Sequence, residues 1–378
     1  MESILLEIMR LRENNPITID YKNNNRYCVI ANERNNTNTI YCFSTPIYNI
    51  HTRKAIDMKF KEENGVFYNV GSNANICVSN NIHLENMQGT CSLQFNKKYI
   101  KINDRELRSN EDIIIATSNG IAYKAKCTGA KPISFDLEIQ SPFTEVRAND
   151  KNFSLMCEKF KPFVSVSCIG TINSQGDIIG PSTIEYERLS NYKYRLTVKP
   201  CNFNGEKVMF EVNLYEAKLF QDTTVESKNP KINNAFGGVA FIGNTAENWE
   251  QWLYSKLDFS KIVEMLDKRI NKAILHIPQY NKTHNGISAF KVASRFCSFG
   301  STWENKISEK SFISDSTITE KYQNIDITNF LTDIKTGFIT RSDGLILKPT
   351  IKNNTFSAIA TADNYYTPQI LEINYRLN

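Results

Sequence analysis

Ile133-Ser134-Phe135-Asp136-Leu137-Glu138-Ile139-Gln140 alternates apolar and polar residues without a break. Successive side chains of a strand point to opposite faces, so this run predicts a strand with one buried and one wet face. Tyr192, Tyr194, Leu196 and Val198 repeat the pattern, and Val208, Phe210, Val212 and Leu214 follow it. Turn signals separate such runs: Ser118-Asn119-Gly120, Ser174-Gln175-Gly176-Asp177 and Asn202-Phe203-Asn204-Gly205. Short alternating strands spaced by turns predict a sandwich architecture. The expected fold class is mainly β, with two antiparallel β-sandwich or jelly-roll domains, or three if the first divides near residue 110. A short N-terminal helix and one or two short helices in the C-terminal part complete the expectation.

The composition agrees. With 378 residues the chain has length for two or three domains, and 16 Gly with 11 Pro are too few for a linker-like or collagen-like protein. Its 17 Tyr and 22 Phe suit half-buried sheet faces. Asn clusters at Asn23-Asn24-Asn25, Asn35-Asn36 and Asn353-Asn354, where its tolerance of left-handed backbone can replace scarce Gly at turns. The 45 basic and 40 acidic residues are interspersed, with no run of four Lys or Arg. Nucleic acid is therefore not an expected partner. Apolar runs such as Ile113-Ile114-Ile115-Ala116 are too short for a membrane span, so membrane insertion is not expected either. Met1 to Arg10 puts acids where a secretion signal has bases, and no signal peptide is read there.

Residues 1–20 form the first segment, where Ile4, Leu5, Ile8, Met9 and Leu11 have helical spacing over about residues 2 to 12 and Pro16 ends the run. So short a helix is marginal alone, and its apolar stripe docks either on its own domain or on a neighbouring subunit. Residues 21–217 read as the first β-sandwich region. Near residue 218 the texture changes, with a polar stretch from Asp222 to Asn234 containing Lys228-Asn229-Pro230. Ser260 could cap a helix in which Ile262, Val263, Leu266 and Ile270 share a face, and Lys272 to Tyr280 returns to strand. Residues 218–378 read as the second domain.

Phe220-Gln221-Asp222-Thr223-Thr224-Val225 and Leu253-Tyr254-Ser255-Lys256-Leu257-Asp258 are the first of several pieces within residues 220 to 376 that resemble, in order, the DNRLRE family of β-sandwich domains, here its opening strand and the next. Lys272-Ala273-Ile274-Leu275-His276-Ile277, Ser301-Thr302-Trp303-Glu304-Asn305 and Ile325-Asp326-Ile327-Thr328 are similar to the segments that follow. Gly344-Leu345-Ile346-Leu347, then Thr361-Ala362-Asp363 and Pro368-Gln369-Ile370-Leu371-Glu372-Ile373-Asn374-Tyr375, are similar to its last strands. Residues 112 to 215 resemble only loosely what precedes such domains, lacking the usual entry motif. These domains are similar to carbohydrate-binding modules and occur in bacterial wall-associated and Rhs-type proteins. The resemblance implies a surface or particle-borne role without chemistry.

Candidate sites follow from residue type. Trp249, Trp252, Tyr365 and Tyr366 flank loops and could stack on sugar rings, whereas Trp303 occupies a core-anchor position of the family pattern. Asp222 and Asp363 lie on the first strand and just before the last strand of the C-terminal domain. Neighbouring strands of that kind can hold a calcium ion through carboxylates, and surface or hydrogen-bonding acids are the other reading. Otherwise no cofactor is expected. Nine cysteines without C-x-x-C spacing do not suggest zinc. They read as small buried hydrophobes or, with their odd count, as sources of intermolecular cross-links, with Cys28, Cys42 and Cys297 as the candidates. No nucleophile elbow, zinc-protease motif or phosphate loop occurs, and only the common acids Glu247 with Glu250 or Asp326 with Asp333 could serve a glycosidase. The expectation is a non-enzymatic subunit of a spore surface, appendage or phage-tail-like particle, partnered by copies of itself or other particle proteins. The alternative is a glycan-binding adhesin module attached to cell-wall polysaccharide.

Overall fold

The computed structural model describes residues 2–13, 18–20, 26–33, 36–69, 71–95, 101–102, 112–128, 131–158, 160–201, 207–244, 249–257, 268–281, 285–336 and 344–376. The chain is mainly β, with two helices and four sheets among these residues. All sheet pairings described are antiparallel save one, where Lys101–Ile102 runs parallel to Ile113–Ala116. The helix expected after Ser260 lies outside the described residues up to residue 267, but its last member, Ile270, is corrected to strand Arg269–Pro278; the turns at Asn23–Asn25 and Asn202–Gly205 lie outside the described residues.

Two compact units form. The first comprises Met1–Tyr48, Ala217–Ala235 and Ala240–Asn378; the second comprises Asn49–Glu216 and Phe236–Val239. This corrects the expected division at residue 20. Strand Thr37–Phe43 pairs along its whole length with Ile370–Arg376, from Thr37 opposite Arg376 to Phe43 opposite Ile370. Backbone hydrogen bonds therefore tie residues 37–43 to the end of the chain, and residues 21–48 leave the region to which alternation alone had assigned them.

In the first unit one sheet runs in the order Thr18–Ile19, Cys28–Asn32, Thr37–Phe43, Ile370–Arg376, Arg269–Pro278, Tyr322–Asp326, Thr317–Ile318. The facing sheet runs Glu309–Asp315, Ile287–Val292, Leu345–Pro349, Glu250–Leu257, Val239–Asn244, Phe356–Ala360, with Phe220–Glu226 also on Glu250–Leu257. Ile40, Leu275, Leu371 and Ile373 from the first sheet meet Leu253, Ala289, Leu347 and Ile359 from the second in one core. Helix α1 (Glu2–Leu11) lies outside that core. Its Ile8 is fully buried with Val29, Ala31, Tyr41, Phe43 and Ile370 on the outer face of the first sheet. The helix thus docks on its own unit, which settles the choice its spacing had left open. Helix α2 (Thr328–Lys335) closes one end of the core with Phe330, Leu331 and Ile334.

The second unit packs a sheet built on Lys161–Ile172, Lys207–Leu214 and Gly120–Lys126 against an eight-stranded sheet that runs from Lys61–Glu63 at one edge to Thr183–Arg188 at the other. Ile133–Ile139 lies within that eight-stranded sheet, and its burial alternates as the sequence predicts. Phe135 stacks on Phe210 at 5.0 Å and 3° across the two sheets, with Tyr123 edge-on to Phe210 at 5.2 Å. One core spans Ala74 to Leu214, so no division near residue 110 exists. Asn36 and Asn64 adopt φ of 58° and 54°, the left-handed turn role expected of Asn here.

Candidate functional site

A buried charged site of the first unit begins on strand Phe220–Glu226. Alternation puts Asp222 on the same face as Phe220, which lies in the core. An inward acid at the end of a sandwich needs partners, and the turn after Phe356–Ala360 supplies them. The Ala362 backbone N–H donates to Asp222 Oδ2 at 2.5 Å, and Asp363 beside it forms an ion pair with the Lys218 ammonium. The two acids expected to be neighbours are therefore brought together, Asp222 2% and Asp363 9% exposed.

Burial first, then the charge of Asp363, pushes the Asp222 carboxyl up to about 8. Burial also raises Asp363, against the pull of the Lys218 ammonium. Like charges this close do not both ionise, so one proton stays on the pair. We place it on Asp222, which donates to Asp363, while Asp363 keeps its charge against Lys218. The arrangement clamps strand Phe220–Glu226 to the turn before the last strand of the unit.

Calcium takes six to eight oxygens and demands ionised carboxylates. Here one carboxyl keeps its proton and the other faces an ammonium, and no group of three or more acid, His or Cys side chains that could hold a metal occurs among the described residues. The residues do not fit the ion. Millimolar calcium or a chelator is accordingly expected to leave the thermal midpoint unchanged. A midpoint that rises and saturates with calcium would reassign the site.

A second polar cluster secures α1. The Arg12 guanidinium donates to Glu33 Oε2 at 2.8 Å and to Tyr41 Oη at 3.2 Å, and the Tyr322 hydroxyl donates to Glu7. Burial raises the hydroxyls of Tyr41 and Tyr322, the latter further through the Glu7 charge. His276 sits between Asn324 Oδ1 at 2.8 Å and Glu372 Oε2 at 3.0 Å on the same sheet. Arg12 and Glu33 escape a sequence reading because 21 positions separate them and no motif marks such a pair. Lys218 escapes it because a lysine at a domain boundary reads as solvated.

The aromatic candidates are corrected. Trp249 and Trp252 are each 9% exposed, Tyr365 is 6% exposed, and Tyr366 is half-buried. Trp252 packs on the outer face of its sheet with Val225, Tyr254, Val292, Phe296 and Ile346, and Trp303 packs against this cluster rather than in the inter-sheet core. The indoles meet at 4.9 Å. Lys348 Nζ lies 3.7 Å from the Trp252 ring centroid, and Lys306 Nζ 4.3 Å from that of Trp303. The chain's own cations hold the ring faces that a sugar would use.

The glycosidase pairs are drawn into structural contacts. Glu250 accepts from Trp252 Nε1 and Lys352, Asp326 accepts from the backbone and hydroxyl of Thr328, and Asp333 pairs with Lys291. Glu247 lies outside the described residues. Cys28 and Cys42 are buried opposite each other, so neither is open to another chain, whereas Cys297 is exposed. Cys201 is exposed too, a thiol that its place after Pro200 and before a turn signal could have revealed. No family model matches this chain, and no curated protein matches it.

Proposed function

We propose that the chain is a non-enzymatic structural subunit of a surface or extracellular assembly, with a DNRLRE-type sandwich in its C-terminal part. It is partnered by copies of itself or by other particle proteins. The observation that carries this reading is the pair of aromatic residues on edge strands. Phe312 stands 55% exposed on Glu309–Asp315, and Tyr186 stands 50% exposed on Thr183–Arg188. Each strand ends its sheet. Proteins ordinarily blunt such edges, because unpaired backbone beside an apolar side chain invites another chain. The titratable clusters, by contrast, face inward and serve the fold. The glycan-binding alternative has no exposed aromatic pair at the residues named for it.

Light scattering with size exclusion and electron microscopy of the full chain, with and without reductant, tests the reading. Oligomers or ordered polymers are expected, and Phe312→Lys combined with Tyr186→Lys is expected to dissolve them. Loosening in reductant would bring the exposed Cys201 and Cys297 into the contact. A monomer in both conditions at high concentration would overturn self-assembly.

A further inference from the structure

Cys28 and Cys42 are directly opposed in the antiparallel pair formed by Cys28–Asn32 and Thr37–Phe43. The Phe43 N–H donates to the Tyr27 carbonyl at 2.9 Å, which makes Cys28 and Cys42 the non-hydrogen-bonded pair of the ladder. Such pairs bring their Cα atoms to about 4.5 Å and their side chains closest together, within the range a disulfide bridges. The two sulfurs lie 3.1 Å apart. Other cysteines on these sheets face residues that cannot join them: Cys77 is opposite His83, Cys91 opposite Leu84 and Ile139, and Cys168 opposite Phe210.

The geometry points to an intrachain disulfide between Cys28 and Cys42, closed during folding in an oxidising environment and sealed afterwards by the core. The hairpin is local, so the thiols meet as soon as its strands pair, before Leu371 of the distant strand Ile370–Arg376 comes to lie opposite Cys42. Once the core forms they are 1% and 0% exposed. Burial then raises the Cys42 thiol, and the neighbouring Cys28 sulfur raises it further. Exchange needs a thiolate that is in reach of its partner, so the folded chain holds whichever state it folded into. The chemistry requires an oxidant, here a small-molecule disulfide such as oxidised glutathione. One cysteine thiolate attacks a glutathione sulfur and expels a glutathione thiolate. The second cysteine thiolate attacks the mixed disulfide and expels the other. Two protein thiols are oxidised to one disulfide, and one glutathione disulfide is reduced to two thiols.

The bond would staple the hairpin that carries both α1 and the last strand of the unit. It also removes two of the nine cysteines from intermolecular chemistry.

The test is to unfold and reduce the full chain, then refold it either in a glutathione redox buffer or in reductant, alkylate, and map peptides without reduction. The expected product of oxidative refolding is a peptide pair linked through Cys28 and Cys42. Its thermal midpoint is expected to exceed that of the reduced protein by roughly 5–10 °C. The double variant Cys28→Val, Cys42→Val is expected to show no such redox-dependent shift. In the folded reduced protein both thiols are expected to resist a thiol reagent that labels Cys201 and Cys297. Finding Cys28 and Cys42 alkylated after oxidative refolding, or linked to other cysteines or other chains, would overturn the proposal. So would a failure of the oxidised chain to regain its fold.

Discussion

Replacing Lys218 by methionine lowers the stability of the first unit by about 3–5 kcal/mol, while Asp222→Asn is stabilising at pH 7. The asymmetry follows from where the proton sits. Lys218 and Asp363 have side chains only 14% and 10% exposed, so removal of the ammonium leaves a buried carboxylate with nothing to balance it. Asparagine has the shape of a protonated aspartic acid and keeps a donor for Asp363, so it replaces what Asp222 already is.

The pH dependence has a definite sign. Asp222 titrates near 3.9 when unfolded and at about 8 when folded. Between those values the native state binds more protons than the unfolded state, so stability falls as pH rises. The Asp222 contribution is complete below about pH 4 and is lost through about pH 8, at no more than roughly 1.4 kcal/mol per pH unit for one proton. Asp222→Asn removes this slope, and the variant becomes the more stable form above about pH 4. Urea unfolding followed by circular dichroism at pH 5, 7 and 9 measures both effects. If Lys218→Met is silent, or if Asp222→Asn costs as much, the assignment of charge in the clamp is wrong.

The second large effect concerns the fragment 218–378, which the sequence pattern marks as a domain. It is expected not to fold alone. Without residues 1–48, strand Ile370–Arg376 loses the partner Thr37–Phe43 along its whole length, and the core loses Tyr27, Cys28, Ile30, Ile40 and Cys42. Burial of an apolar side chain contributes about 1.5–3 kcal/mol, and these five together rival the roughly 5–15 kcal/mol that stabilises a whole protein. The fragment is expected to bind a hydrophobic dye and to unfold without cooperativity. Fusing residues 1–48 ahead of 217–378 through a short linker is expected to restore a cooperative transition. The join is short because the Leu219 N–H donates to the Ser44 carbonyl, and Tyr27 Oη donates to the Ala217 carbonyl. Cooperative unfolding of 218–378 by itself would contradict this account.

Much of the site was legible in part. Asp222 and Asp363 stand out as acids on the first strand and just before the last, and they do meet, although those two strands lie in different sheets and the meeting is made by the turn that holds Asp363. Their partner does not stand out, because nothing in the residues around Lys218 distinguishes an ammonium turned inward from one in water. Trp249 and Trp252 illustrate the opposite error. Aromatic residues beside loops look exposed in a sequence, yet the segment carrying Phe296, Trp303 and Ile307 folds back over Trp252. Which loop covers which face is a long-range matter.

Alternation in Ile133–Ile139, Lys193–Lys199 and Lys207–Leu214, the helical stripe at Ile8 and the Asn-rich turns are local properties. Each is dictated within a few residues by where side chains point and which backbone angles they tolerate. By itself, then, the sequence determined that this is a mainly β chain of antiparallel sandwiches with a short amphipathic helix at its start. Only the tertiary structure decided that residues 28–43 complete a sheet with residues 370–376, that Lys218 neutralises Asp363, and that Cys28 faces Cys42. Partner choice depends on burying apolar faces and pairing backbone groups from distant parts of the chain, and no short window of sequence contains both partners.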